Sequence, residues 1–202
     1  MSMKGQQEAI AVILISGILI GVVGSVYFWG VPLIQKNKDI AVLENSEKFV
    51  RNLNDKIKFV ANNGGRDQLR LDLSGVVKFD PQQDYIQFIV DTKGTIYAVD
   101  APIPLGKNAD CLSTTGTFGV NDPETICVES SKISQDAYKT SYTLRYVNLE
   151  NIDVNKKFLI NLTGAMNVGG ESSTIVFENK GNTQTYDGGR TLISTLIEIS
   201  II

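Results

Sequence analysis

The chain contains no histidine. That absence removes the commonest general base near neutral pH and the commonest metal ligand, and with them any hydrolytic triad built on His. Cysteine is nearly as scarce, since Cys111 and Cys127 are the only two, too few by themselves for a tetrahedral metal site. Basic clustering is missing as well. Net charge is −3, and Lys and Arg are scattered, so the electrostatic footprint of a nucleic-acid partner is absent. The most informative lack is local: residues 9–34, about 26 in a row, carry no charged side chain.

That run, AIAVILISGILIGVVGSVYFWGVPLI, organises the rest of the chain. At about 1.5 Å of rise per residue, a helix of this length reaches across a bilayer's hydrocarbon core, which takes about 20 apolar residues. A secretory signal has an apolar core of only about 7–15 residues and a small-residue cleavage site at its end. This run has neither property, so it is expected to remain in the protein. Gly17 and Gly21 form a GxxxG pair with Ser16, Gly24 and Ser25 nearby. Small residues of this kind permit close helix approach in a membrane, although glycine is frequent in membrane helices in any case. Tyr27, Phe28 and Trp29 read as an interfacial aromatic belt, and Pro32 predicts a kink or the end of the regular helix. Lys4 precedes the run while Lys36 and Lys38 follow it, so the positive-inside count leaves orientation open.

Over 39–62 the apolar residues Ile40, Leu43, Val50, Leu53, Ile57 and Val60 recur at helical spacing among polar ones, which predicts an amphipathic helix. Asn62, Asn63, Gly64 and Gly65 tolerate positive φ and end it. One long helix is therefore expected, with a wholly apolar first half and a second half whose single apolar stripe needs a sheet to cover. Mean hydropathy is zero, the average of this head and a polar body rich in Thr, Asn, Gly and Ser, which suits strands and turns. Alternation and turn residues predict four short strands at 69–73, 76–79, 85–90 and 95–99, arranged as an antiparallel meander. Residues 101–131 are expected to form a long loop, followed by strands at 141–148, 157–162 and 173–178. In a last strand over 191–202, Ile193, Ile197, Ile199 and Ile201 share one buried face. The fold class is α+β: a long hydrophobic N-terminal helix followed by an antiparallel β-sandwich-like domain.

Cys111 and Cys127 bracket a Thr-, Gly-, Ser- and Asp-rich stretch and read as one disulfide worth roughly 3 kcal/mol in the loop-entropy account, with two reduced thiols as the other reading. Asn161-Leu162-Thr163 is the only Asn-x-Ser/Thr tripeptide, making Asn161 a candidate glycosylation site if the body lies outside the cell. Asp80 with Asp84, and Asp91 with Asp100, fall at predicted turns or strand ends, where Asp bonds nearby amides. Asn121, Asp122 and Glu124 offer oxygen ligands without calcium-loop spacing. Gly169-Gly170 and Gly188-Gly189 lack the strand-then-helix setting of a phosphate loop. No constellation calls for catalysis, a metal or a cofactor.

The order of Lys4-Gly5-Gln6, apolar helix, amphipathic helix and β-rich body resembles the type IV pilin superfamily, in particular archaeal pilins and archaellins. The resemblance implies residues 1–5 as a leader, 6–35 as a transmembrane and assembly helix, 36–63 as its amphipathic continuation and 64–202 as an extracellular β-rich domain. It also implies a prepilin peptidase-like enzyme that cuts after Gly5 and frees Gln6, and self-association of the N-terminal helices into a filament core. Many members carry Glu at the fifth residue beyond the cut. Here Ile10 stands there and the acid is Glu8. In an apolar bundle Glu8 would pair with the freed amine of Gln6 in the same or a neighbouring subunit; in an uncut anchor it would sit among headgroups. The leading expectation is thus a structural subunit of an archaeal surface filament, in the membrane before assembly. The alternative is a single-pass protein whose outer domain tethers or braces a surface layer, archaellum or secretion complex.

Overall fold

The computed structural model describes residues 3–108 and 110–202, with side chains from Ile10 onward. Helix α1 (Met3–Asn63) opens the chain and runs without a break through Pro32. Proline lacks the N–H that the carbonyl four residues back would receive, yet helix resumes on its far side, so the alternative in which the helix stops at Pro32 is not what forms. The stop comes at Gly64 and Gly65, with φ of 76° and 83°. There the Gly64 N–H closes on the Val60 carbonyl at 2.9 Å, a left-handed cap that glycine adopts without steric cost.

Strands follow as β1 (Arg66–Arg70), β2 (Val76–Asp80), β3 (Tyr85–Thr92), β4 (Ile103–Pro104), β5 (Thr115–Thr117), β6 (Glu124–Ser134), β7 (Ala137–Tyr146), β8 (Asn148–Asn151), β9 (Lys156–Thr163), β10 (Asn167–Gly169), β11 (Thr174–Asp187) and β12 (Arg190–Ile201). Among the described residues they form two six-stranded sheets. The first has the order β1-β11-β12-β9-β8-β5 and the second β10-β2-β3-β7-β6-β4. The layout is α+β, as the sequence predicts, with antiparallel pairing in most ladders. Two pairs, β12 with β9 and β5 with β8, run parallel.

The predicted meander does not form. Of its four strands only β2 and β3 pair with each other, while β1 crosses to the other sheet and pairs with β11. The 95–99 segment is a loop, held by one bridge between Val99 and Ser130, and β3 takes β7 as its second neighbour instead. The predicted long loop is also corrected, because most of β6 lies within it and pairs with β7 from Glu124 opposite Tyr146 to Ser134 opposite Ala137. Its inward positions are Ile126, Val128 and Ser130. Ser130 meets the Thr140 hydroxyl at 3.1 Å in the core, so a paired hydroxyl stands where the alternation leads one to expect an apolar residue.

Both sheets and the second half of α1 share one hydrophobic core. Leu43, Val50, Leu53, Ile57 and Val60 are at most 1 % exposed, the stripe read from the sequence. They pack with Phe79, Phe88 and Tyr142 of the second sheet and Leu162, Phe177 and Ile197 of the first. Phe49 lies 5.1 Å from Phe88, ring centre to ring centre, in a tilted stack of the kind aromatic pairs favour. In β12, Ile197, Ile199 and Ile201 are buried, and Ile193 is half-buried.

Candidate functional site

The same helix that fills the core leaves it at Asp39, the first buried position along its length among the residues whose side chains are described. From Ile10 to Lys38 it is an arm of about 40 Å, and its large hydrophobic side chains from Ile10 to Ile34 are more than half exposed, Phe28 reaching 87 % and Trp29 84 %. The helix is long and apolar enough to cross a membrane, with a mean hydropathy of 2.5 over its most apolar window. Because Tyr27, Phe28 and Trp29 are consecutive in a helix, they point about 100° apart and surround most of the arm.

The two serine hydroxyls on the arm are satisfied internally. The Ser16 hydroxyl donates to the Val12 carbonyl and the Ser25 hydroxyl to the Gly21 carbonyl, each at 2.8 Å. Such back-bonding is what an apolar surrounding demands of a hydroxyl. Gly17, Gly21 and Gly24 present bare backbone, and a methyl group added at any of them would meet no described atom within 4 Å. The small-residue face is therefore free for another helix. Gly5, Gln6 and Glu8 belong to the first turns of α1, but the Gln6 and Glu8 side chains lie outside the described residues, as do Met1 and Ser2.

Below Asp39 a line of polar contacts fixes the helix lengthwise. The Asp39 carboxylate accepts from Gln35 Nε2 at 3.0 Å and from the Lys93 N–H at 3.4 Å. Tyr142 donates its hydroxyl to the Leu43 carbonyl at 2.9 Å, Arg51 donates to the Leu105 carbonyl at 2.7 Å, and Tyr146 donates to Asn54 Oδ1 at 2.9 Å. Glu124 Oε1 collects Asn54 Nδ2 and Lys58 Nζ, both at 2.7 Å. At the far end Asn179 Nδ2 reaches the Val60 carbonyl at 3.0 Å. Burial, above all, pushes the Tyr142 and Tyr146 hydroxyls well above the usual phenol range, with neighbouring Tyr97 adding to it at Tyr142 and Glu124 at Tyr146. Both therefore stay protonated donors at neutral pH.

Comparison of the chain with family models, with curated proteins and with solved structures finds no match.

The other residues singled out in the sequence are spread over the body. Cys111 and Cys127 are bonded, with Cα atoms 5.8 Å apart. Asn161 lies toward the end of β9, opposite Leu196 of β12 and past the part paired with β8, half-exposed on the side of the strand opposite buried Leu162. Asp80 caps its turn by accepting from the Gln82 and Gln83 N–H groups. Asp84 accepts from the Leu162 N–H at 3.2 Å. The pins Tyr142, Tyr146, Asn54 and Asn179 escape sequence reasoning. Asn54 alone leaves a trace, as a polar residue between Leu53 and Ile57 on an otherwise apolar stripe.

Proposed function

We propose that the chain is a structural subunit of a type IV pilus-like surface filament of the archaeal kind. Its arm resides in the membrane before assembly and packs against the arms of other copies afterwards, with the β-domain on the outside. The observation that carries this reading is the absence of a joint. One helix exposes large apolar side chains from Ile10 to Ile34 and is pinned inside the body from Asp39 onward. A simple anchor functions with a flexible tether, whereas a subunit stacked by its helix needs the body held in fixed register with that helix. The open face at Gly17 and Gly21 supports the same reading, because close approach of such residues is what associates helices where water exclusion cannot. No catalytic role is proposed.

Mass spectrometry of the native N terminus in assembled material tests the proposal. A chain beginning at Gln6 is the expected result, and an intact Met1 in filaments overturns processing after Gly5. Electron microscopy of cells with and without the gene separates the alternative: filaments that persist unchanged and lack this protein favour a tether or brace.

A further inference from the structure

Strand β11 outruns its neighbour. It pairs with β1 from Thr174 to Glu178 only, and the Asn179 N–H ends that side with a 2.9 Å bond to the Gly65 carbonyl. Beyond the irregular step at Lys180 and Gly181 it continues to Asp187 with β12 on one side and, among the described residues, no strand on the other. Residues 180–189 are exposed. The stretch is firmly backed all the same, since β9 holds β12 from behind. It leaves the body at the last turn of α1, where Asn179 meets the Val60 carbonyl, at the end of the helix opposite the arm.

Register decides which backbone groups face outward. Ile197 and Thr195 of β12 share one parity and stand opposite Asn179 and Asn182 across the irregular step. The Asn179 N–H is turned away from β12, so both of these are pairs without ladder bonds, and such pairs alternate with bonded ones in an antiparallel ladder. The N–H and C=O groups of Asn182, Gln184 and Tyr186 therefore point away from β12 into solvent, while those of Thr183, Thr185 and Asp187 point toward it.

An open edge recruits another strand unless shortness, charge or proline guards it. The strands that end the two sheets are guarded in these ways. β5 and β10 have three residues each, β4 has two, one of them Pro104, and β1 carries Arg66, Asp67 and Arg70. Residues 182–186, Asn-Thr-Gln-Thr-Tyr, contain neither charge nor proline, and Thr and Tyr favour strands. Their centre is a palindrome, since Thr183-Gln184-Thr185 reads the same in both directions. A two-fold axis between antiparallel strands maps bonded pairs onto bonded pairs, so it sets one residue opposite its own copy. With Gln184 at that place, Thr183 stands opposite Thr185, Asn182 stands opposite Tyr186, and the outward groups of 182, 184 and 186 all find partners. We infer that β11 joins two copies of this chain edge to edge about this axis, making one continuous sheet. Threonine pairs are favourable cross-strand neighbours, and no like charges are opposed. The axis reverses every direction within the sheet, and α1, packed on it, is reversed too. The joined copies therefore carry arms that point opposite ways, and they belong to two filaments, or two membranes, that face each other. A contact this short is weak alone and becomes firm by repetition along a filament. The placement between filaments rests on the filament reading, whereas the pairing itself needs only the body.

Cross-linking of the full chain in detergent micelles tests it. Cys111 and Cys127 are already bonded, so Thr183→Cys and Thr185→Cys each add a single free thiol. In the inferred register 183 of one copy and 185 of the other form a non-hydrogen-bonded pair with Cα atoms about 4.5 Å apart, within disulfide reach. Mixing the two variants under mild oxidation is expected to give several-fold more dimer than either gives alone. Gln184→Lys in both chains sets like charges opposite each other and abolishes the cross-link, while Gln184→Lys in one chain and Gln184→Glu in the other restores it. Circular dichroism stays unchanged throughout, since position 184 is exposed. A mixture that gives no dimer, single variants that give as much, or a cross-link indifferent to the charges at 184 overturns the pairing and leaves the filament reading standing. In electron micrographs, filaments of the Gln184→Lys chain are expected to lie singly where unsubstituted ones associate side by side, and equal association overturns the placement. If the unsubstituted chain is absent from filaments, the filament reading falls, and the cross-link still decides the pairing.

Discussion

At the scale of single residues, Asp84 shows how turn geometry and charge conflict. It occupies the turn before β3 at a φ of 51°, a conformation that Asp and Asn tolerate better than most side chains. Burial is the chief influence on its carboxyl and raises its pKa above the ordinary 3.8, against the opposing effects of the Leu162 N–H and Arg145. A carboxyl whose pKa is raised on folding binds its proton more tightly in the native state. The penalty is therefore absent below 3.8, grows as pH rises from there through the raised native value, and is complete above it. Asn retains both the tolerated φ and an oxygen for the Leu162 N–H. Asp84→Asn is thus expected to raise the melting temperature at neutral pH and to lose that advantage as pH falls through the raised native value toward 3.8. Thermal melts across this range check it, and an advantage independent of pH would show that charge is not the cause. The turn role of Asp84 was legible from its setting between two alternating stretches. Its contact with Leu162, far along the chain, was not.

At the scale of elements, α1 was the most legible part, because a helical stripe is a local pattern repeated many times. Its stripe from Leu43 to Val60 and its stop at Gly64 are both where the sequence puts them. The strands were less legible for a physical reason. A strand's neighbours are chosen by core packing across the chain, so β1 leaves β2 for β11, and the hydroxyl pair of Ser130 and Thr140 hides β6 from a count of apolar residues. The helix also depends on that distant choice. Asn179 of β11 supplies a second donor to the Val60 carbonyl in the last turn, beside the Gly64 N–H that already bonds it. Asn179→Ala is expected to cost about 0.5–1.5 kcal/mol, the range for losing one hydrogen bond to a carbonyl that keeps another donor. Leu53→Ala, in the fully packed middle of the stripe, is expected to cost about 2–5 kcal/mol. Urea unfolding measures both. A cost near zero for Asn179→Ala would mean that the Gly64 N–H alone satisfies the carbonyl.

At the scale of the molecule, the disulfide and the helix play complementary parts. Cys127 lies on β6 of the second sheet, while Cys111 lies just before β5, which pairs in the first. The bond therefore fastens the connection between β4 and β5 to β6, and α1 joins the two sheets through the middle. Replacing both cysteines by serine is expected to lower stability by about 3 kcal/mol, the loop-entropy value for a bridge of this span. Secondary structure should be retained, since the core residues on α1 are untouched. Chemical denaturation with circular dichroism checks both statements.

What the amino-acid order determined by itself is the spine: an uncharged run long enough to cross a membrane, a striped helical continuation, a glycine stop, and a body of strands. These features follow from spacing within a few turns of chain, where neighbours in sequence are neighbours in space. Only the tertiary structure decided which strands share a sheet, which polar side chains pin the helix, and that Asp39 is where the arm leaves the body. Those outcomes depend on burial, and burial is a property of the assembled core. The same dependence gives the exposed arm its meaning, because 25 or so apolar residues left uncovered by a well-filled sandwich require a surrounding that the chain alone does not supply.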